Sequence, residues 1–524
     1  MTTESTVAGQ AGARPTPPKD WLEGLKQNAQ TDVVSGLIIF LIALPLCLGI
    51  ALASGAPPIA GVISGIVAGT LANLFSGSYV TINGPAAGMI VIVVGAVTEL
   101  GFRGALAVGV VTGAIQIGLG FAKTGKLTGF FPLSVVHGML AGIGLIIMAG
   151  QIHIVVGHQN PRAHGFHIFT EIPPSLTDPV IETALVGLAA VLVMVVWPRL
   201  GKLSAVIPAP LMAVIVGTVI ALINGAGPRL DLGGGLLEGF QTPDFSGLLS
   251  GPAIKWIVLY VFVASLESLL TAEAVDKLDP WKRRSNMNRE LIGKGIGNLV
   301  SSGIGGLPMI AEVVRSKANI MAGARTRWSN FFHGVFLFLF VLLLPGVLEL
   351  IPLAALAGIL LVVGFKLAHP ADFKHAWEIG KVDFLLMFVT AFTVLLTDLL
   401  IGVATGIVLG VVYALVKGTR PANLFKPRME VSDRGDAISV KFKGALGFHN
   451  FIPLRSLLDN MPRGRAVTFD FRDVHYIDPT VLERLHDFEI DYAYDDGSVT
   501  YVGEESLPPG PHRFSTRTAP KVTV

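Results

Sequence analysis

The stretch Gly305-Gly306-Leu307-Pro308-Met309-Ile310-Ala311-Glu312-Val313-Val314-Arg315-Ser316-Lys317-Ala318-Asn319 decides how this chain is read. It lies among long apolar segments, yet it is glycine-rich, interrupted by a proline and followed by three ionisable residues. Proline suits the first position of a helix, where the N–H it lacks would have no intrahelical partner. The pattern therefore predicts a helix that begins near Pro308. A helix start inside a hydrophobic region leaves amide N–H groups tolerated only against protein or a wet cavity. Those groups and the helix dipole attract an anion.

The first half of the chain holds a counterpart, Tyr79-Val80-Thr81-Ile82-Asn83-Gly84-Pro85-Ala86-Ala87-Gly88. It too reads as a short extended run, then Gly-Pro, then a helix. Pro85 comes about 50 residues after the first apolar segment begins, and Pro308 about 55 after the segment near Ala253. Interruptions at matching places in two halves are the sequence pointer to a transporter's binding site.

Composition sets the surroundings. The 524 residues are 52% hydrophobic and 15% charged, against nearer a quarter charged in a soluble globular protein. Apolar runs close to the ~20 residues that span a bilayer recur from Val33 to Leu415. The spans fall near 33–53, 58–75, 84–98, 104–122, 131–156, 180–197, 203–223, 253–273, 289–303, 308–322, 328–346, 350–367, 382–397 and 399–417, fourteen in two sets of seven. The expected transmembrane domain is 31–420, with one repeat at about 31–225 and the second at about 250–418. Residues 1–30 form a cytoplasmic tail, disordered to about residue 20, with Trp21 to Gln30 read as a short interfacial amphipathic helix. No apolar h-region precedes a cleavage site, so the first span is expected to stay and direct insertion.

Charge gives the orientation. With both termini cytoplasmic, inner loops carry Lys123, Lys126, Arg199, Lys202, Lys277, Lys282, Arg283, Arg284, Arg289, Arg325, Arg327, Lys366, Lys374 and Lys381. Outer loops carry little beyond Arg103, Arg162 and Arg229, the asymmetry of a multi-pass protein of the inner (plasma) membrane. The outer loop near 157–179 and its edge hold His153, His158, His164 and His167 without a clear zinc-ligand spacing, so they are read as an exposed loop. The lone Cys47 excludes an internal disulfide and any Cys-based metal site.

After Lys417 the pattern changes. Strands at 437–442, 466–471 and 498–502 alternate with helices at 451–461 and 481–488. This β-α-β-α-β order predicts a small α/β domain at 427–503, followed by a flexible tail, 504–524.

Together these residues carry a resemblance. Ala43-Leu44-Pro45-Leu46 with Ala53-Ser54-Gly55, Asn83-Gly84-Pro85, Gly293 to Leu299, Gly305-Gly306-Leu307-Pro308 and Arg315 to Asn319 resemble spans 1, 3, 9 and 10 of the sulfate permease (SulP) family of anion transporters. Phe469-Asp470-Phe471 and Asp478-Pro479-Thr480 resemble its C-terminal STAS domain. The resemblance covers roughly 30–503. It implies two inverted seven-span repeats forming a core that moves against a gate, and often a homodimer. It also implies sulfate, bicarbonate, chloride or dicarboxylate as substrate. Ala86 stands where Na⁺-coupled bicarbonate members often carry Thr, and Ala311, Glu312 and Val313 where they carry small residues and a Thr. Pro479 replaces the usual small residue of the STAS turn.

The candidate substrate-binding residues are Asn83, Gly84, Pro85, Ala86, Ala87, Pro308, Met309, Ile310, Ala311, Glu312, Val313 and Arg315. Glu267 sits mid-span with Thr271 one turn on, on the same face. A carboxylate there needs a partner, a proton or a cation, so Glu267, Thr271 and Glu312 are the candidates for a coupling ion, Na⁺ or H⁺; the family's acidic position in span 8 matches Glu267. Glu312 and Arg315, three apart, can pair on one helix face. An ionised Glu312 would compete with a bound anion, and three resolutions stand. It is protonated when substrate binds, it helps Glu267 hold Na⁺, or it pairs with Arg315 and faces away. Arg315 is read as an anion-attracting charge in preference to a structural counter-ion.

No GxxxxGK[ST] pattern is present, so an ion gradient is the expected energy source. No nucleophile–base constellation points to an enzyme, and no nucleic-acid partner or resident cofactor is expected. The leading reading is a secondary transporter of small inorganic anions. The alternatives are a dicarboxylate carrier, a proton-coupled nucleobase-type symporter of the same architecture, and a non-transporting scaffold that signals through its tail, with Thr480 as a phosphorylation point.

Overall fold

The structure is a computed structural model that describes residues 16–126, 132–159, 166–236, 238–494, 496–507, 510 and 512–518. The disorder expected of residues 1–15, Arg162 and His164 of the outer loop, and the tail from 519 lie outside the described residues.

The first unit comprises Pro17–Gly125 and Ile143–Ala368. Its main elements are α1 (Trp21–Ala53), α2 (Pro58–Val67), β1 (Ile82–Gly84) and α3 (Ile90–Phe121). After α4 (Leu133–Val155), of which residues 143–155 belong to this unit, come α5 (Ile181–Val196), α6 (Ala209–Asn224), α7 (Gly251–Leu278), α8 (Met287–Gly303) and β2 (Ile310–Glu312). The unit ends with α9 (Val313–Met321), α10 (Trp328–Leu343) and α11 (Leu353–Leu367). Among the described residues of the whole chain, eight helices are long and apolar enough to cross a membrane, and two shorter ones are apolar.

Two boundaries differ from the sequence reading. The interfacial helix expected at Trp21 to Gln30 is not separate, because α1 runs unbroken from Trp21 to Ala53. Asp20 caps its first amide, and the polar step at Asp32 does not break it. The Asp32 carboxylate is buried and accepts the backbone N–H groups of Arg325 and Thr326. The segments expected at 84–98 and 104–122 join in α3, where Gly101 (φ 72°, ψ 166°) turns the chain in place of a loop. Such a φ is open to glycine at little cost.

α3 and α8 pack with their backbones nearly touching. A Cβ on Gly113 would stand 2.5 Å from the Gly295 carbonyl oxygen, and one on Gly295 2.6 Å from that of Gly113. Small residues permit this approach where apolar driving force between helices is weak. α8 also carries a fully buried ion pair, Glu290 with Lys294. The Glu290 carboxylate accepts the N–H groups of Gly77 (3.0 Å) and Ser78 (3.2 Å) and the Ser76 hydroxyl. Filled valences of this kind are what make a buried pair tolerable.

The second unit comprises the described residues of Lys126–Gly142 and His369–Val524. It contains α12 (Pro370–Ile379), α13 (Lys381–Leu396) and α14 (Leu399–Val416). Then come β3 (Arg428–Asp433), β4 (Ala437–Leu446), α15 (Phe451–Asp459), β5 (Ala466–Ile477), α16 (Pro479–Ala493), β6 (Ser498–Val502) and β7 (Arg517–Thr518). The sheet order is β3-β4-β5-β6, with β4, β5 and β6 parallel, β3 antiparallel on the edge and β7 against the end of β5. Phe442, Phe469, Phe471, Leu454, Leu485 and Phe488 form its core.

The β-α-β-α-β order is present, and β3 and β7 add to it. β3 is almost wholly exposed, which leaves no buried alternation to read. The stretch after 503 is not uniformly loose: Leu507 and Ser515 are buried, and β7 pairs with β5. The compact units also divide away from residue 420. Ala414 of α14 packs with Ala445 and Tyr476 of the sheet, so α13 and α14 group with the C-terminal domain.

Candidate functional site

The two interrupted segments meet. β1 and β2 pair antiparallel with Ile82 opposite Glu312, Asn83 opposite Ala311 and Gly84 opposite Ile310. Each strand leads into a helical segment, the first through a 3₁₀ turn at Ala87–Met89 into α3, the second directly into α9.

The helix starts expected at Pro85 and Pro308 are displaced. The first turn begins at Ala87 and α9 begins at Val313, so Met309, Ile310 and Ala311 stand in extended chain and its approach. Side chains from neighbouring helices explain the shift. Asn298 of α8 accepts the Met309 N–H (2.6 Å), Ser268 of α7 that of Ala311 (3.3 Å) and Ser316 of α9 that of Ile82 (2.8 Å). Backbone polar groups must be satisfied wherever they are buried, and here strand pairing and side chains satisfy them without a helix. Fewer N–H groups are therefore free for an anion than a helix beginning at each proline would offer.

The charged side chains gather against this pair of strands. Arg315 is fully buried. Its Nη2 donates to the Pro85 carbonyl (2.5 Å) and lies 3.7 Å from Glu312 Oε1, and its Nη1 lies 3.9 Å from the Cys47 sulfur of α1. Gly84 leaves room for it, since a Cβ there would stand 2.6 Å from Nη1. The Glu312 carboxylate lies within reach of the Ala87 N–H, where the helical segment Ala87–Phe121 begins. Both Glu267 oxygens press on Gly88, where a Cβ would be 2.3 Å from each. Glu267 Oε1 is buried without a hydrogen-bond partner among the described residues, as are both amide atoms of Asn83, a residue with no exposed surface.

Of the other sequence-derived residues, Pro308, Ala86, Ala87 and Thr271 are buried. Val313 is 42% exposed and turns out of the enclosed site, so it does not take the part expected of it. Cys47 and Gly88 complete the surroundings and were not singled out by sequence reasoning. Elsewhere on α7 the Tyr260 hydroxyl is buried without a hydrogen-bond partner among the described residues.

The chemistry of the set is plain. Glu267 and Glu312 lie close enough to repel, and among the described residues Arg315 is the cation set against Glu312. When both carboxylates are ionised one negative charge is unbalanced in a largely buried site, which favours a proton or a cation. No group of three or more His, Cys, Asp or Glu suited to a metal occurs among the described residues. Of the histidines read as an exposed loop, His153 is instead buried within α4, where its Nδ1 is hydrogen-bonded with the Ser175 hydroxyl, and His158 is engaged with the Asp178 carbonyl.

Residues 30–390 match the Sulfate permease family. The chain belongs to this family. The Sulfate permease family is one of transporters, not enzymes, and the chain is a multi-pass membrane protein. It is 30% identical over 383 residues to "Putative sulfate transporter YvdB" of Bacillus subtilis (strain 168), covering 70% of each chain. It is also 30% identical over 376 residues to "Bicarbonate transporter BicA" of Picosynechococcus sp. (strain ATCC 27264 / PCC 7002 / PR-6), over 69% of this chain and 66% of that one. The solved transmembrane domain of a cyanobacterium bicarbonate transporter BicA matches its fold with a TM-score of 0.64 at 26% identity, over 72% of this chain and 97% of that domain.

Proposed function

We propose that this Sulfate permease family member is a secondary active transporter of small inorganic anions, bicarbonate or sulfate first, driven by a Na⁺ or H⁺ gradient or by anion exchange. The observation that carries the reading is the meeting of β1 with β2. It sets an unpartnered buried amide (Asn83), a buried guanidinium (Arg315) and two carboxylates (Glu267, Glu312) around the ends of two interrupted segments. Anion binding falls to Asn83, Gly84, Pro85, Ala86, Ala87, Pro308, Met309, Ile310, Ala311, Glu312 and Arg315. Coupling falls to Glu267 with Thr271 and Glu312. Such a pocket suits a cargo that must be released, because it holds charge with dipoles and a neutralised arginine.

The wider reading is fourteen spans in two inverted seven-span repeats, with both termini cytoplasmic. A STAS-like domain spans 427–503, and an elevator-like movement of a core carries the site across the bilayer. The chain acts as a homodimer in the plasma membrane. Uptake of labelled sulfate or bicarbonate into proteoliposomes, with Na⁺ and H⁺ gradients imposed separately, tests the function. Uptake that depends on a gradient is expected; no uptake of any oxyanion under either gradient removes the proposal.

A second reading has one observation in its favour. Glu267 and Glu312 face one site, as the acidic pair of a nucleobase–proton symporter would. Competition by uracil or xanthine selects it. A dicarboxylate cargo is selected by competition from succinate or fumarate.

A further inference from the structure

The arm of α3 that follows Gly101 lies against α8 at the contact of Gly113 with Gly295. One turn on from these glycines stand Gln116 and Asn298, both fully buried. The close backbone approach lets their carboxamides meet, and Asn298 Nδ2 donates to Gln116 Oε1 (2.7 Å). The other end of each amide reaches a different element. Asn298 Oδ1 accepts the Met309 N–H (2.6 Å) on the approach to β2, and Gln116 Nε2 donates to Ser265 Oγ of α7 (3.1 Å). The backbone fixes the order of donors in this chain. The Met309 N–H can only donate, so the Asn298 oxygen must face it. The Asn298 nitrogen must then face the Gln116 oxygen, and the Gln116 nitrogen must face Ser265.

We propose that Gln116 and Asn298 are positioning residues of the anion site, their carboxamide chain setting where Met309 and the strand after it stand and tying that strand to α7. The inference rests on the anion-transport reading above, which gives Met309, Ile310 and Ala311 to the substrate.

The need for the chain follows from the backbone. Met309 lies just before β2, outside its pairing with β1, so its buried N–H needs a side-chain acceptor. Asn298 supplies one. The Met309 sulfur also packs on Gly297, where a Cβ would stand 2.5 Å from it. The strand therefore has a set height against α8. Ser268 of α7 holds it a second time, at the Ala311 N–H (3.3 Å). Ser265 and Ser268 lie on either side of Glu267 along α7. The strand that carries the anion residues and the helix that carries Glu267 are thus joined at both ends. Gln116 makes no hydrogen bond to β2 itself. Its part is to engage the Asn298 nitrogen. Without that acceptor Asn298 Nδ2 is a buried donor left unpaired, and the amide is free to turn away from Met309. Binding groups hold their affinity only within about 0.5 Å of the productive geometry, kept there by hydrogen bonds behind them. Loss of either carboxamide should therefore be felt at the anion.

The test joins two measurements on the full-length protein: calorimetric titration with sulfate, and the NMR signal of the Met309 amide in protein labelled at the methionine nitrogens, identified by its loss in Met309→Leu. Gln116→Met keeps the shape of the side chain and removes its polar atoms. It is expected to move the Met309 amide proton upfield and to weaken sulfate binding about threefold. Asn298→Leu is expected to move the signal further and to weaken binding about tenfold. The double variant should bind no more weakly than Asn298→Leu alone, because Gln116 acts through Asn298. A pair that merely packs would leave Gln116→Met with the wild-type signal and affinity, or would give effects that multiply in the double variant. Either result overturns the positioning role and leaves the anion site standing, and the first holds even if Asn298→Leu fails to fold. Absence of binding to sulfate, chloride and bicarbonate by the wild type overturns the anion site and the positioning role together.

Discussion

The segments Tyr79–Gly88 and Gly305–Asn319 use one backbone device and carry different chemistry. Both run extended, pair with each other and turn into a helical segment. The first has no ionisable side chain beyond Tyr79, and side chains of the second half hold it in place. Asn319 donates to the Val80 carbonyl (2.9 Å), Asn330 to that of Thr81 (3.2 Å), and Ser316 accepts from Ile82. The second brings Glu312 and Arg315 and is held largely from its own half, by Asn298, Ser268 and Ser301. The comparison teaches a division of labour. One segment offers backbone dipoles and room, and the other offers charge.

Removing the charge should break the comparison most severely. Arg315→Ala leaves the Glu312 carboxylate without its cation and should cost about 3–5 kcal/mol, read as a large loss of thermal stability together with anion binding. A loss below about 1 kcal/mol would mean the pair is solvated like a surface ion pair. The two glycines sharpen the comparison next. Each added methyl overpacks its site at a cost of about 1–3 kcal/mol. Gly84→Ala strikes Arg315 and should weaken anion affinity; Gly88→Ala strikes Glu267 and should lower the cation or pH dependence of uptake instead. Identical effects from both would end the assignment of anion and cation to separate places.

Asn83→Ala is the gentler probe. It removes buried polar atoms that have no partner, so stability should hold or rise while anion affinity falls by about 1 kcal/mol, roughly fivefold. A fall in stability with affinity unchanged would make Asn83 a packing residue.

The smallest effect lies in the C-terminal domain. Burial pushes the Asp478 carboxyl up to about 7, with a contribution from Asp383, against the Val481, Phe448 and Thr480 amides that hold it down. An acid raised by folding keeps its proton better in the folded chain. Its favourable contribution is present at low pH and is lost as pH rises from near 3.8 through about 7. Asp478→Asn retains a cap for Val481 and should flatten that dependence, measured by hydrogen exchange of the β4–β5 core.

Much of this architecture was legible in the residues. Apolar length marked where helices lie, Gly-Pro marked both interruptions, and Glu267 was conspicuous in an otherwise apolar run. What escaped was non-local. Pro85 and Pro308 were read by the local rule that proline opens helices. The chain instead stays extended because β1 and β2, more than 200 residues apart, satisfy each other's backbone. No local pattern announces such a partner. Val313 was included by proximity in sequence, but the first residue of α9 faces outward. Cys47 and Gly88 were missed because their role is contact, with Arg315 in one case and Glu267 in the other. Asp32 concealed the continuity of α1 because its carboxylate finds amides almost 300 residues away.

The strand pair has one more consequence. Its register fixes how the halves of the first unit align without help from the connection between them, which near Gly233–Gly235 is a run of glycines with positive φ. Two polypeptides encoded separately and divided at that run would hold the instructions for reassembly. Three residues of each would act as the key by which one fragment recognises the other.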